Sequence, residues 1–215
     1  MRFKAALLHF AVILTATLAG ATASLAEPLK LVGFGDSLMA GYQLPQEDAL
    51  PAQLQRNLVA KGHDVVITNA GVSGDTTSGG LARVDWSVPD GTDGVILELG
   101  ANDALRGIDP AVTRAALDEI ITRLKARNIP VLLIGMLAPP NMGGEYAARF
   151  NAIYPDLAKK YDLPLYPFVL EGVITERKLL LEDGMHPNTE GLAVMAERML
   201  PLAQSWVASI EGKPN

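Results

Sequence analysis

The sequence predicts a doubly wound α/β domain, a three-layer α/β/α sandwich around a five-stranded parallel sheet. Two observations lead there. Short apolar runs alternate with longer amphipathic stretches from residue 29 to about residue 210, and strands separated by helices join through right-handed crossovers that cover both faces of a parallel sheet. The 215-residue chain also shows no internal repeat, low-complexity tract or linker, so a single core of ordinary domain size is expected.

The first 26 residues are set apart. Met1-Arg2-Phe3-Lys4 is a short basic stretch, an apolar run follows from Ala5 to about Leu18, and small residues lead to Ser24-Leu25-Ala26, with Ala21-Thr22-Ala23 as a second possible cleavage sequence. This is the three-part layout of a cleavable secretory signal peptide. The run is shorter than the ~20 apolar residues of a membrane span. The expectation is cleavage near Ala26, a domain at 27–215, a periplasmic or secreted product, and no stable membrane insertion afterwards.

Within that domain Leu29–Phe34 reads as the first strand. Gln46–Ala60 reads as a helix closed by Lys61-Gly62. Val65–Thr68 is the second strand, and Thr76–Trp86 a helix capped at Asp75 or Thr76. Gly94–Leu99 is the third strand. Asp109-Pro110 begins a helix to Leu124, with Asp109 as N-cap and Pro110 at the first helical position. Val131–Met136 is the fourth strand, covered on both faces by its unbroken aliphatic character. Glu145–Tyr161 is helical with an interruption near Pro155, Leu165–Phe168 is a short fifth strand, and the last helix follows Pro187-Asn188.

Composition excludes several classes. The chain is 49% hydrophobic and 20% charged, the balance of a folded domain. Losing residues 1–26 removes Arg2 and Lys4 but no acid, moving the formal charge from −6 to −8. An acidic exported chain is poorly suited to nucleic acid or to an anionic membrane surface. With no cysteine there is no disulfide, thiolate nucleophile or cysteine metal site. No exposed apolar stripe stands out, which favours a monomer.

The chemistry-bearing residues lie at predicted strand ends, where α/β folds present their sites. Gly35-Asp36-Ser37-Leu38 follows the first strand, and a serine hydroxyl needs an adjacent base to act as nucleophile. Of three histidines, His9 leaves with the leader and His63 sits in a turn where solvation is expected. His186 remains, in Asp183-Gly184-Met185-His186-Pro187. Pro187 holds His186 away from helical geometry, and Gly184 permits a turn that returns Asp183 to the ring. Gly74 follows the second strand and Asn102 the third, offering a backbone N–H and a side-chain amide to an oxyanion. Leu137–Gly144 follows the fourth strand and is either a plain connection or a flap lining a substrate cleft. Separately, each of these loops is also ordinary turn chemistry.

Taken in order, Gly-Asp-Ser, Gly74, Asn102 and Asp-x-x-His resemble the block pattern of the SGNH (GDSL-type) hydrolase superfamily over nearly the whole mature chain. Phe34-Gly35-Asp36-Ser37-Leu38-Met39-Ala40-Gly41-Tyr42, Asn69 to Thr76, Glu98-Leu99-Gly100-Ala101-Asn102-Asp103, Leu105-Arg106-Gly107 and Asp183 to Pro187 look like its thioesterase I/lysophospholipase L1/arylesterase branch. The resemblance implies a flavodoxin-like sheet and an esterase with Ser37 as nucleophile, His186 as base and Asp183 as orienting acid. It also implies an oxyanion hole from the Ser37 and Gly74 N–H groups and the Asn102 amide, and a loop with Leu137, Pro139 and Asn141 over a small-molecule acyl ester or thioester. No cofactor is implied. Ala101 departs from the glycine frequent in relatives, and its methyl is expected to narrow the acyl site while sparing the amide.

Other classes fare worse. Gly33-Phe34-Gly35-Asp36-Ser37-Leu38 begins like a dinucleotide fingerprint, but Leu38 takes the third glycine position. No His-Glu-x-x-His or Walker A pattern occurs. A non-catalytic lipid or acyl-chain carrier shares the fold class, yet has no use for nucleophile, base and oxyanion donors together.

Overall fold

A computed structural model describes residues 27–212, so the expected leader at 1–26 lies outside the described residues. In chain order the elements are β1 (Leu29–Gly35), α1 (Ser37–Ala40), α2 (Leu50–Ala60), β2 (Val65–Gly71), α3 (Thr77–Ser87), β3 (Gly94–Glu98), α4 (Ala101–Leu105), α5 (Pro110–Ala126), β4 (Val131–Ile134), α6 (Gly144–Asn151), α7 (Ile153–Tyr161), β5 (Leu165–Tyr166) and α8 (Thr189–Glu211). The five strands form one sheet in the order β2-β1-β3-β4-β5, and every pairing is parallel. The expected three-layer architecture is present. α2 packs on α8 over one face, while α3 packs on α5 and α5 on α6 and α7 over the other.

Burial explains the layers. β3 and β4 are buried at every position, as their unbroken apolar runs require of strands covered on both sides. Phe34, Leu97, Leu117, Met195 and Val207 are fully enclosed in the same core. Asp109 caps α5 by accepting the Ala111 N–H at 2.9 Å, with Pro110 following it. Asn188 caps α8 by accepting the Gly191 N–H at 2.9 Å. Among the described residues no helix is long and apolar enough to cross a membrane.

Prolines account for the main departures from the sequence reading. The helix expected from Gln46 is a 3-10 turn at Gln46–Asp48 followed by α2. Pro51 stands in the first turn of α2, where its missing N–H leaves no helical bond unmade, so the helix begins just ahead of it. Pro155 cannot serve the Asn151 carbonyl, and the expected interruption falls at Ala152, three residues ahead of it. Pro164 and Pro167 bound β5, cutting it to Leu165–Tyr166. β4 ends at Ile134 instead of Met136.

All strands being parallel, their C-terminal ends share one edge of the sheet. The register brings Gly35 of β1 opposite Gly71 of β2 and Glu98 of β3. The segments carrying Ser37, Gly74, Asn102 and Leu137 therefore leave the sheet side by side.

Candidate active site

Ser37 opens α1 directly after Asp36, whose carboxyl accepts the Leu38 N–H at 3.1 Å. Asp36 is therefore an N-cap, and α1 is the short helix into which the expected turn resolves. Ser37 is only 8% exposed, so its hydroxyl is held by its surroundings.

His186 reaches it from 149 positions away, with Nε2 at 2.9 Å from Ser37 Oγ. A small hairpin delivers the ring. Leu180 bridges Pro187, the Leu181 N–H donates to the His186 carbonyl, and the Gly184 N–H donates to the Leu181 carbonyl. Gly184 has φ +70° at the tip, a conformation that an L side chain rarely adopts. Arg177 ties the hairpin down by donating to the carbonyls of Leu181 and Glu182.

Asp183 folds back as expected. Its Oδ2 lies 2.6 Å from His186 Nδ1, and its Oδ1 accepts the N–H groups of Met185 at 2.9 Å and His186 at 3.0 Å. Partial desolvation works to raise this carboxyl's pKa, but the two backbone donors and the imidazole outweigh it and hold the value at about 2. With Nε2 on the hydroxyl, the tautomer protonated on Nδ1 places its hydrogen on Asp183. The Tyr42 ring packs on the imidazole with centroids 4.4 Å apart.

The expected oxyanion donors make no hydrogen bond to the Ser37 hydroxyl; Gly74 and Asn102 lie in the segments that follow β2 and β3. The Ser37 and Gly74 N–H groups donate to no protein carbonyl among the described residues. Asn102 Nδ2 is already engaged, at 2.9 Å from the Asp75 carbonyl and 3.4 Å from Asp36 Oδ2. The second contact is long, so that hydrogen can turn to a stronger acceptor. Leu137, Pro139 and Asn141 lie after β4 at the same sheet edge, Leu137 and Asn141 exposed and Pro139 half-buried, with a 3-10 turn at Pro140–Met142. None of the three hydrogen-bonds to Ser37, His186 or Asp183. His63 departs from the solvated turn expected of it, since Nδ1 lies 3.2 Å from the Glu211 carboxylate.

Two residues given no role by the sequence brace this edge. Arg83 on α3 donates from Nε to Asp75 at 2.7 Å, and from its terminal nitrogens to the carbonyls of Ala70 at 2.9 Å and Gly35 at 2.8 Å. One buried guanidinium thus joins the ends of β1 and β2 to the loop bearing Gly74, while lying over the Phe34 ring at 4.1 Å. Nothing in the pattern around Arg83 marks it, because its partners converge only in space. Replacing it as Arg83→Met is expected to destabilise the fold by about 3–5 kcal/mol, because a carboxylate and two carbonyls lose their donor in a buried setting. Urea unfolding measures this, and a loss below about 1 kcal/mol would place Arg83 among surface ion pairs. The second residue, Glu98, did carry a signal: an acid at the end of an otherwise apolar interior strand.

Comparison with known proteins points to one family. Residues 34–194 match the GDSL-like Lipase/Acylhydrolase family. An arylesterase of Vibrio mimicus is 43% identical over 180 residues, covering 83% of this chain and 84% of the relative. The thioesterase 1/protease 1/lysophospholipase L1 of Escherichia coli K12 is 39% identical over 178 residues, covering 82% and 84%. The crystal structure of AlinE4, an SGNH-hydrolase family esterase, superposes with a TM-score of 0.72 at 42% identity, covering 89% of this chain and all of that one. A serine, histidine and aspartate bonded in series at the edge of this sheet, and relatives this similar over most of their length, lead to one conclusion: the chain belongs to the GDSL-like lipase/acylhydrolase family.

Proposed function

We propose that the protein is a serine hydrolase that cleaves carboxylic esters through an acyl-Ser37 intermediate, with acyl thioesters and lysophospholipids as further substrates of the same chemistry. The reading is carried by one observation: Ser37 Oγ is 2.9 Å from His186 Nε2 while Asp183 closes on the other ring nitrogen at 2.6 Å. That spacing is within hydrogen-bond reach for proton transfer.

In the first step Ser37 Oγ attacks the substrate carbonyl and its proton passes to His186 Nε2. Asp183, ionised because its carboxyl is held at about 2, stabilises the imidazolium. The Ser37 and Gly74 N–H groups and the Asn102 amide receive the charge that grows on the carbonyl oxygen. His186 then gives its proton to the departing alcohol or thiol. Water, deprotonated in turn by His186, attacks the acyl-enzyme and releases the acid. Leu137, Pro139 and Asn141 form one side of the acyl-binding cleft. The leader at 1–26 directs the chain to the periplasm or outside the cell, where it works as a monomer.

A fluorophosphonate probe should label the protein stoichiometrically at Ser37, with the adduct found by peptide mass spectrometry. No labelling of folded protein would leave a lipid or acyl-chain carrier as the better reading. p-Nitrophenyl esters from C2 to C16, with palmitoyl-CoA and lysophosphatidylcholine alongside, then rank acyl length and leaving group.

A further inference from the structure

Beneath the Ser37 turn two carboxyl groups are closed off from solvent, Asp36 at 0% and Glu98 at 1% exposure. Glu98 ends β3 opposite Gly35, and its Oε2 accepts the Asp36 N–H at 3.3 Å. A Cβ on Gly35 would meet that oxygen at 2.6 Å, so glycine in the Gly-Asp-Ser sequence is what admits the carboxyl. Asp36 in turn accepts Leu38 N–H on Oδ1 and the Asn102 amide on Oδ2. Glu98 thus rests on the backbone of the very residue whose own carboxyl is buried beside it, and among the described residues no cation stands between the two acids. Two neighbouring carboxylates closed off from water repel each other and lack solvation, so the pair holds one proton.

The surroundings keep that proton in place. Asp103 from α4 and Asp75 from the loop after β2 add negative charge facing Asp36. Tyr154 from α7 donates to the Leu99 carbonyl, and Arg83 from α3 is engaged by Asp75 and backbone carbonyls. Burial pushes both carboxyls up from the usual range.

We propose that Glu98 is a positioning residue for the Ser37 chemistry: the proton it shares with Asp36 keeps the buried pair at a single negative charge and leaves the Asn102 amide hydrogen free to turn to the oxyanion. The inference rests on the reading of Ser37 and Asn102 given above. A second charge on the pair would strengthen the hold of Asp36 on that hydrogen and oppose the charge growing on the substrate oxygen. Both effects act on the transition state and not on a neutral bound ester, so they lower kcat with little change in KM.

Glu98→Gln tests this, because a glutamine amide donates to Asp36 and accepts the Asp36 N–H but cannot ionise. With p-nitrophenyl acetate between pH 6 and 9.5, the parental kcat should decline on the alkaline side while KM stays within about twofold. In E98Q, normalised to its own plateau, that decline should move up by at least about one pH unit or vanish. The same alkaline limb in both proteins overturns the proposal.

Should E98Q fail to fold, the parent decides alone. The folded pair retains a proton that free carboxyls give up above their ordinary range, so stability falls as pH rises beyond that range. The thermal midpoint should drop by more than about 4 °C between pH 5 and 8, and a flat or rising midpoint overturns the proposal. Fluorophosphonate labelling keeps the two readings apart. A protein that labels at Ser37 but ignores Glu98 refutes only the positioning role, whereas one that does not label refutes the hydrolase reading itself.

Discussion

Ser37→Ala or His186→Ala is expected to lower kcat roughly 10⁴–10⁶-fold on p-nitrophenyl acetate while the protein stays folded. The size follows from the geometry. In the proposed mechanism Ser37 Oγ is the atom that bonds to the substrate, and its hydrogen-bond partner is the His186 ring, so the alanine variant would lose the nucleophile but no fully buried contact. Removing His186 leaves a hydroxyl with no base, and a neutral serine is a weak nucleophile near neutral pH. The two losses should not multiply, because either one disables the same step, and the double variant should match the singles within about tenfold. Circular dichroism and the thermal midpoint verify the fold. A folded variant that turned over ester at the parental rate would refute the assignment.

Asp183→Asn should cost about 10⁴ in kcat with little change in KM. The asparagine oxygen can still accept the Met185 and His186 N–H groups, so the hairpin keeps its shape. The amide that replaces Oδ2, however, donates to Nδ1 instead of accepting from it. That forces the ring proton onto Nε2, facing Ser37, where a base must have its lone pair. The parental carboxyl sits at about 2. A depressed value means that the charged form is present at all higher pH and is lost only as pH falls through it. Protonation of Asp183 therefore adds no acid limb to the parental pH profile between pH 4 and 8. A variant within about tenfold of the parent would show that orientation of His186 comes from elsewhere, the Tyr42 ring being the first place to look.

Much of this was legible along the chain, for local reasons. The α5 boundary could be read because Asp109 and Pro110 satisfy the first turn from within it. The Asp183 return could be read because three residues and a glycine suffice to close it. Helix starts near prolines were misplaced by a few residues, as at Pro51, whose missing N–H suits the first turn of α2. His63 was misread because its partner, Glu211, lies at the far end of the chain.

Periodic apolar runs and strand-end polar words determined the layer architecture and named Ser37, Asp183, His186, Gly74 and Asn102, because each of these is written in a few consecutive residues. Tertiary structure alone decided that Arg83 would clamp two strand ends and that Glu98 would meet Asp36 beneath Ser37. Those contacts join residues dozens of positions apart across a register that strand pairing sets. Their strength comes from burial, which removes the water that would otherwise compete for every hydrogen bond.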